Sequence, residues 1–332
     1  MRLAVYKDNL STGRGADRAV KNFAADMAAR GHNVILFEKN ELADRLNERW
    51  DIIVATGSNE AVDLYRNGYF ERRDRSKVVL QLHLAPRGFF KWRHPWRNHI
   101  IKKAFKRVDA AQVLCGSYEG EFRALARLPK IATIGNYSEM SIPDFAGDVA
   151  SGRTILYPAA TLNKVKNQKL LIKAFALIAD EFPEWNVRLL GKDSTRYADE
   201  CRDLIRREGL DGQIEIAGFV DSLQEEYRRA AFVAFPSNLE GFPLAVLEAA
   251  KFSLCAVVQK KLPGAMDIVK DGETGTVSAP DVVSYAHAMR SMMKDAEGRA
   301  AMGRKAFDFC AKMYSREVVL DKWDSFLKSV LN

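Results

Sequence analysis

The sequence predicts an α/β protein of two Rossmann-like, doubly wound domains, and three observations carry that prediction. Short apolar runs alternate with longer stretches of helical periodicity. The rhythm stops at a polar seam and then starts again. Each half has about the length of one doubly wound domain.

In the first half the strand-like runs are LAVY, NVILF, DIIVAT, KVVLQLH, AAQVLCGS and KIATIGN. Between the first two, ADRAVKNFAADMAARGH repeats apolar residues at three- and four-residue spacing and closes on Gly31, as a helix with a glycine stop does. The second half restarts with RTILYPA, WNVRLLG, QIEIAGF, AFVAFPS and CAVVQ. These are separated by KNQKLLIKAFALIADEF, SLQEEYRRA and a helix after Gly241. Such alternation implies parallel sheets with right-handed crossovers. The seam SEMSIPDFAGDVASG, residues 138–152, is polar, contains Pro143, Gly147 and Gly152, and shows neither period. The expected domains are therefore 1–145 and 152–310. The amphipathic end, MYSREVVLDKWDSFLKSVLN, gives a C-terminal helix within 311–332 that is expected to cross back to the first domain. Two such domains in tandem would bring the carboxyl ends of both sheets around a central cleft, where phosphates meet helix N-termini.

The chain has 332 residues, 47% hydrophobic and 28% charged, which is ordinary globular composition. No run of about 18 apolar residues suggests a membrane-spanning helix. MRLAVYKDN reads as a first strand and lacks the long apolar centre of a signal peptide. Cys115, Cys201, Cys255 and Cys310 are scattered without a C-x-x-C pair, so reduced thiols and a cytoplasmic setting are expected. The net charge of +8 points to an anionic partner.

The stretch FPSNLEGFPLAVLEAAK, residues 235–251, puts Glu240 in a turn and Glu248 inside a helix that is apolar nearly all round. A carboxylate buried there needs a partner. A salt bridge is one; the hydroxyls of a bound sugar or ribose are another. Paired glycosidase carboxylates stand about 5 to 9.5 Å apart. Eight helical residues span about 12 Å, so two separate contacts along one extended ligand fit better than one acid/base pair.

This stretch resembles the E-x(7)-E signature of retaining glycosyltransferases of family 4, which have the GT-B fold. STGRGADRAVKNFAADMAARGHNV is similar to that family's glycine loop and first helix, and LQLH to its strand ending in histidine. TLNKVKNQKLLIKAFALIADEFPEWNVRLLG, PGAMDIVKDGETGTVSAPD and the run to AMGRKAFDFCAKMYS resemble its donor-binding domain. The resemblance implies that Glu248 holds the ribose hydroxyls of a nucleotide-sugar and Glu240 those of the transferred sugar. It puts the backbone at Gly241 and Phe242 near the sugar and diphosphate, Lys166 on the phosphates, and His83 on the donor sugar. Phe219 and Val220 fall near the nucleobase, and Asp267 where the family usually has glutamate. The family usually has arginine where this chain has Thr161; Lys164, an arginine from elsewhere, or lost activity each answer that departure. Gly13, Arg14, Gly15 and Arg18 make a loop suited to a phosphate or anionic acceptor, with simple turn chemistry as the plain alternative. No D-x-D motif occurs, so metal-independent transfer without a cofactor is expected.

RGFFKWRHPWRNHIIKKAFKR, residues 87–107, carries eight Lys or Arg and no acid, interleaved with Phe89, Phe90, Trp92, Trp96 and Phe105. That mixture suits an anionic membrane surface. A solvated basic face with some rings in the core, or nucleic acid, are the other readings. The sequence thus points to a hexosyltransferase at the inner face of a membrane, serving a saccharide or lipid-linked acceptor in cell-surface polysaccharide or lipopolysaccharide synthesis. A sugar-nucleotide epimerase or hydrolase, and a noncatalytic nucleotide-sugar or polyanion binder, are the alternatives.

Overall fold

A computed structural model of the chain describes residues 1–10, 15–90, 94–140 and 152–332, with only the backbone of Gly15, Ala16 and Arg87. It divides into two units. One comprises Met1–Asn136 with Arg316–Asn332, the other Tyr137–Ser315.

The first unit holds strands β1 (Arg2–Tyr6), β2 (Asn33–Phe37), β3 (Ile52–Ala55), β4 (Lys77–Gln81), β5 (Ala110–Val113) and β6 (Ile131–Thr133). All neighbours are parallel, in the order β2-β1-β3-β4-β5-β6. The runs Leu3–Tyr6 and Ile52–Ala55 are wholly buried, as strands covered on both faces must be. Helix Gly15–Ala29 buries Val20, Phe23, Ala24 and Met27, and Gly31 ends it at φ +86°. Strand order reverses between β1 and β3. There Lys7 meets Asp8 and the buried Glu60, each at 2.7 Å.

The last helix, Arg316–Leu331, belongs to this unit and buries Val319, Leu320, Trp323, Phe326, Leu327 and Val330. The Trp323 ring lies 4.7 Å from that of Phe23. Arg30 reaches Asp321 at 2.7 Å and Asp324 at 2.6 Å, and His32 Nε2 lies 2.7 Å from Asp324. The chain end read as one helix from Met313 is in fact two. Met313 and Tyr314 finish helix Ala296–Tyr314, and Ser315 is extended at φ −61°, ψ 155° before the last helix begins.

The second unit holds β7 (Thr154–Thr161), β8 (Asn186–Lys192), β9 (Ile214–Gly218), β10 (Ala230–Phe235), β11 (Ala256–Gln259) and β12 (Gly275–Ser278). They are parallel in the order β12-β11-β10-β7-β8-β9, so the order reverses between β7 and β10. β12 was absent from the strand-like runs; its sequence GTVS has one large apolar residue, and it lies at the sheet edge. The four cysteines are free and buried. Burial pushes the thiols of Cys201, Cys255 and Cys310 up to about 12, which leaves them unreactive.

Replacing Trp323 by Ala is expected to destabilise the first unit by about 3–5 kcal/mol, the usual cost of removing a buried Trp. An earlier urea transition reported by that unit would show it; an unmoved transition would mean that the last helix contributes little to it.

Candidate functional site

In the second unit the loops that leave β7 and β10 flank the point where strand order reverses, the usual seat of ligands in open parallel sheets. The β7 loop is shaped by Asn163, whose Oδ1 accepts the backbone N–H groups of Val165 and Lys166, each at 2.9 Å. Asn167 follows in the left-handed region at φ +58°, a conformation asparagine tolerates. Below the loop, Tyr157 donates to the Lys166 carbonyl at 2.7 Å, which leaves the Ser237 hydroxyl, 2.9 Å away, to donate to Tyr157.

Asn238 ties the β10 loop to the β7 loop. Its N–H donates to Val165 O at 2.7 Å, its Nδ2 donates to Lys164 O at 2.8 Å, and its Oδ1 accepts from Asn167 Nδ2 at 3.2 Å. Two residues on, Glu240 Oε1 receives Lys166 Nζ at 2.5 Å. Both side chains are mostly covered, so the attraction is screened less than that of a surface pair. The ammonium also stands 5.9 Å from the centre of the Phe235 ring.

Helix Leu244–Lys251 follows, with Pro243 as its N-cap. Glu248 is 8% exposed, and the Tyr227 hydroxyl lies 3.1 Å from its Oε2 and 3.0 Å from Ala245 O. One phenolic proton is shared between these acceptors. Burial, reinforced by the Glu248 charge, pushes the Tyr227 phenol well above its ordinary value, so it stays a donor at neutral pH. Gly241 and Phe242 are buried, and the Phe242 ring lies 5.2 Å from that of Tyr314. A side chain at Gly264 would sit 2.3 Å from the Gly241 carbonyl, so glycine there lets helix Pro263–Ile268 close on the β10 loop.

The remaining expected residues are more dispersed. Thr161 ends β7, and its hydroxyl donates to Lys192 O at 3.3 Å. Lys164 is exposed. Phe219, just past β9, is 76% exposed, and Val220 is half-buried. Asp267 is half-buried, with its carbonyl accepting from Tyr314 at 3.2 Å. In the first unit, Gly13 and Arg14 lie outside the described residues, Gly15 opens the first helix, and Arg18 is exposed. His83 lies two residues past β4, and its buried Nε2 has no hydrogen-bond partner among the described residues. Burial, with a further push from Lys7, brings its imidazole down to about 4, so it is neutral at pH 7.

Sequence reasoning missed Tyr227, Asn238 and Lys261. Lys261 Nζ donates to Asn238 Oδ1. The only signal for it was its place just before PGAMD, within the stretch that resembles the donor-binding domain.

The family model described as "Glycosyl transferases group 1" matches residues 144–309, half of the chain, and the chain belongs to that family. An exopolysaccharide phosphotransferase of Streptomyces coelicolor is 29% identical over 208 residues, covering 61% of this chain and 21% of that protein. A poly(glycerol-phosphate) alpha-glucosyltransferase of Bacillus subtilis is 26% identical over 181 residues, covering 53% of this chain and 26% of that protein. The chain thus spans well under half of either relative. Among solved structures, HepE of Anabaena in complex with UDP superposes with a TM-score of 0.81 at 17% identity, over 99% of this chain and 100% of that one. At that identity the likeness shows the fold alone: GT-B, with two parallel six-stranded sheets flanked by helices.

Tyr227→Phe is expected to cost about 1–3 kcal/mol, because a buried carboxylate and carbonyl lose their shared donor. Chemical denaturation of the second unit measures it, and a neutral result would mean that other partners satisfy Glu248.

Proposed function

We propose that this group 1 glycosyltransferase is a retaining, metal-independent hexosyltransferase of family 4 with an E-x(7)-E pair at Glu240 and Glu248. It would move a sugar from a nucleotide-sugar to a saccharide or lipid-linked acceptor in cell-surface polysaccharide or lipopolysaccharide synthesis. The observation that carries the reading is the Lys166–Glu240 ion pair at the β7/β10 reversal, one turn of loop before the helix that bears Glu248.

The chemistry follows from those positions. Glu248, oriented by the Tyr227 hydroxyl, accepts hydrogen bonds from the ribose. Glu240 accepts one from a hydroxyl of the sugar. Lys166 then stands against the diphosphate and stabilises the charge that grows as the bond from the anomeric carbon to the phosphate oxygen breaks. The acceptor oxygen bonds to the anomeric carbon on the same face, and its proton passes to the departing phosphate oxygen. Configuration is kept, and orientation supplies much of the rate. Phe219 offers a ring to the base. The names of the relatives, an exopolysaccharide phosphotransferase and an alpha-glucosyltransferase of a phosphate polymer, support an extracellular-polymer acceptor. UDP in the HepE complex makes uridine donors the first to try.

The first unit would face an anionic bilayer. No described helix is long and apolar enough to cross a membrane. Phe89 and Phe105 of the basic segment are core residues, in van der Waals range of Phe122. Trp96, on helix Pro95–Phe105, is 81% exposed. It lines a groove of about 390 Å³ with Val62, Arg66, Arg97 and Ile100. Arg66, Arg97, Lys102, Lys103 and Lys106 have no carboxylate within ion-pair distance among the described residues.

With a donor that the wild type turns over, Glu248→Ala is expected to raise the donor KM most. Lys166→Ala should lower kcat by a hundredfold or so, a typical loss for one transition-state charge contact. NMR of the product should show retained anomeric configuration; inversion, or hydrolysis without transfer, would contradict the reading. In flotation with phosphatidylglycerol vesicles, neutralising Lys102 and Lys103 should weaken binding about thirtyfold. Equal binding to phosphatidylcholine would contradict a charge-led surface.

A further inference from the structure

Thr161 leaves the candidate diphosphate site one cation short, and the structure holds a cation that sequence comparison would not nominate. Of the ammonium groups on the loops around β10, Lys166 is already matched by Glu240. Lys164 is exposed, and its charge acts on Glu200, on helix Arg196–Arg207. Lys261, exposed like Lys164, differs from both in that an amide oxygen holds its ammonium. It follows β11, the neighbour of β10 in the sheet, and immediately precedes the turn into helix Pro263–Ile268. Its Nζ is bound to the amide oxygen of Asn238, the residue that stitches the β7 and β10 loops together two positions before Glu240. No carboxylate lies within ion-pair distance of it among the described residues. Partial burial alone moves its pKa, downward, and no neighbouring acid offsets that effect.

We infer that Lys261 is a binding residue for the diphosphate of the donor, supplying the positive charge that Thr161 does not. An amide oxygen holds the ammonium in place without neutralising it, so the full charge remains for an incoming anion. Lys166 and Lys261 then meet the diphosphate from the loops after β7 and β11, on either side of the β10 loop that carries Glu240. The ligand class is a nucleoside diphosphate, free or as the leaving half of a nucleotide-sugar.

This inference rests on the reading of the second unit as a nucleotide-sugar site, and one experiment separates the two. Nucleoside diphosphate and monophosphate are titrated calorimetrically into the intact wild type and into Lys261→Ala, Lys261→Arg and Lys164→Ala. Lys261→Ala is expected to lose roughly tenfold to a hundredfold in diphosphate affinity, the range of a hydrogen bond to a charged group. Monophosphate affinity should fall far less, Lys261→Arg should keep most of the binding, and Lys164→Ala should lose less than Lys261→Ala. Adding Thr161→Arg to Lys261→Ala should restore diphosphate affinity. A wild type that binds no nucleoside diphosphate overturns both readings. Wild-type binding that Lys261→Ala retains in full, or a loss shared equally by monophosphate, overturns this one alone.

Discussion

The ion pair between Lys166 and Glu240 is the constraint on which the chemistry proposed for the second unit depends. It joins residues 74 positions apart, one on the loop after β7 and one on the loop after β10. Parallel strands make that meeting possible, because every strand delivers its carboxyl end to the same edge of the sheet. The order reverses between β7 and β10, so their loops leave that edge side by side and meet through Asn238. Asn238, Asn163 and Tyr157 hold the loops at fixed spacing, so the pair is positioned before any ligand arrives. A preset charge arrangement lowers the reorganisation needed when new charge develops.

The same pair also sets a cost. A carboxylate beside the ammonium offsets part of the field that Lys166 would present to a phosphate. In a site with arginine at the position of Thr161 that offset matters less; here Lys261, anchored by an amide oxygen, becomes the cation with charge to spare. Glu248 is held by different means. It sits in a largely apolar helix, and Tyr227 gives it a neutral donor whose own proton is secured by burial. Two glutamates in one short stretch therefore have different environments, and the difference suits an extended ligand gripped at separate points.

Much of this was legible in the sequence. Runs such as DIIVAT and AFVAFPS read as strands because strands buried on both faces must be continuously apolar. Glu240 and Glu248 stood out because a carboxylate in such surroundings needs a reason. What was not legible has physical causes. β12, GTVS, sits at a sheet edge and carries too little apolar surface to announce itself. The break at Ser315 leaves the amphipathic pattern on both sides intact, so periodicity ran through it. Lys261 and Asn238 matter through a contact between loops, and no local pattern encodes a contact across the sheet. In the basic segment, the sequence could not separate Phe89 and Phe105, which are core, from Trp96, which is exposed.

The most direct measurement is a crystal structure of the protein with a nucleoside diphosphate bound. The expected result is a diphosphate within hydrogen-bonding distance of Lys166 Nζ, with the ribose hydroxyls on Glu248. A nucleotide bound elsewhere, away from Lys166 and Glu248, would contradict the assignment of the site.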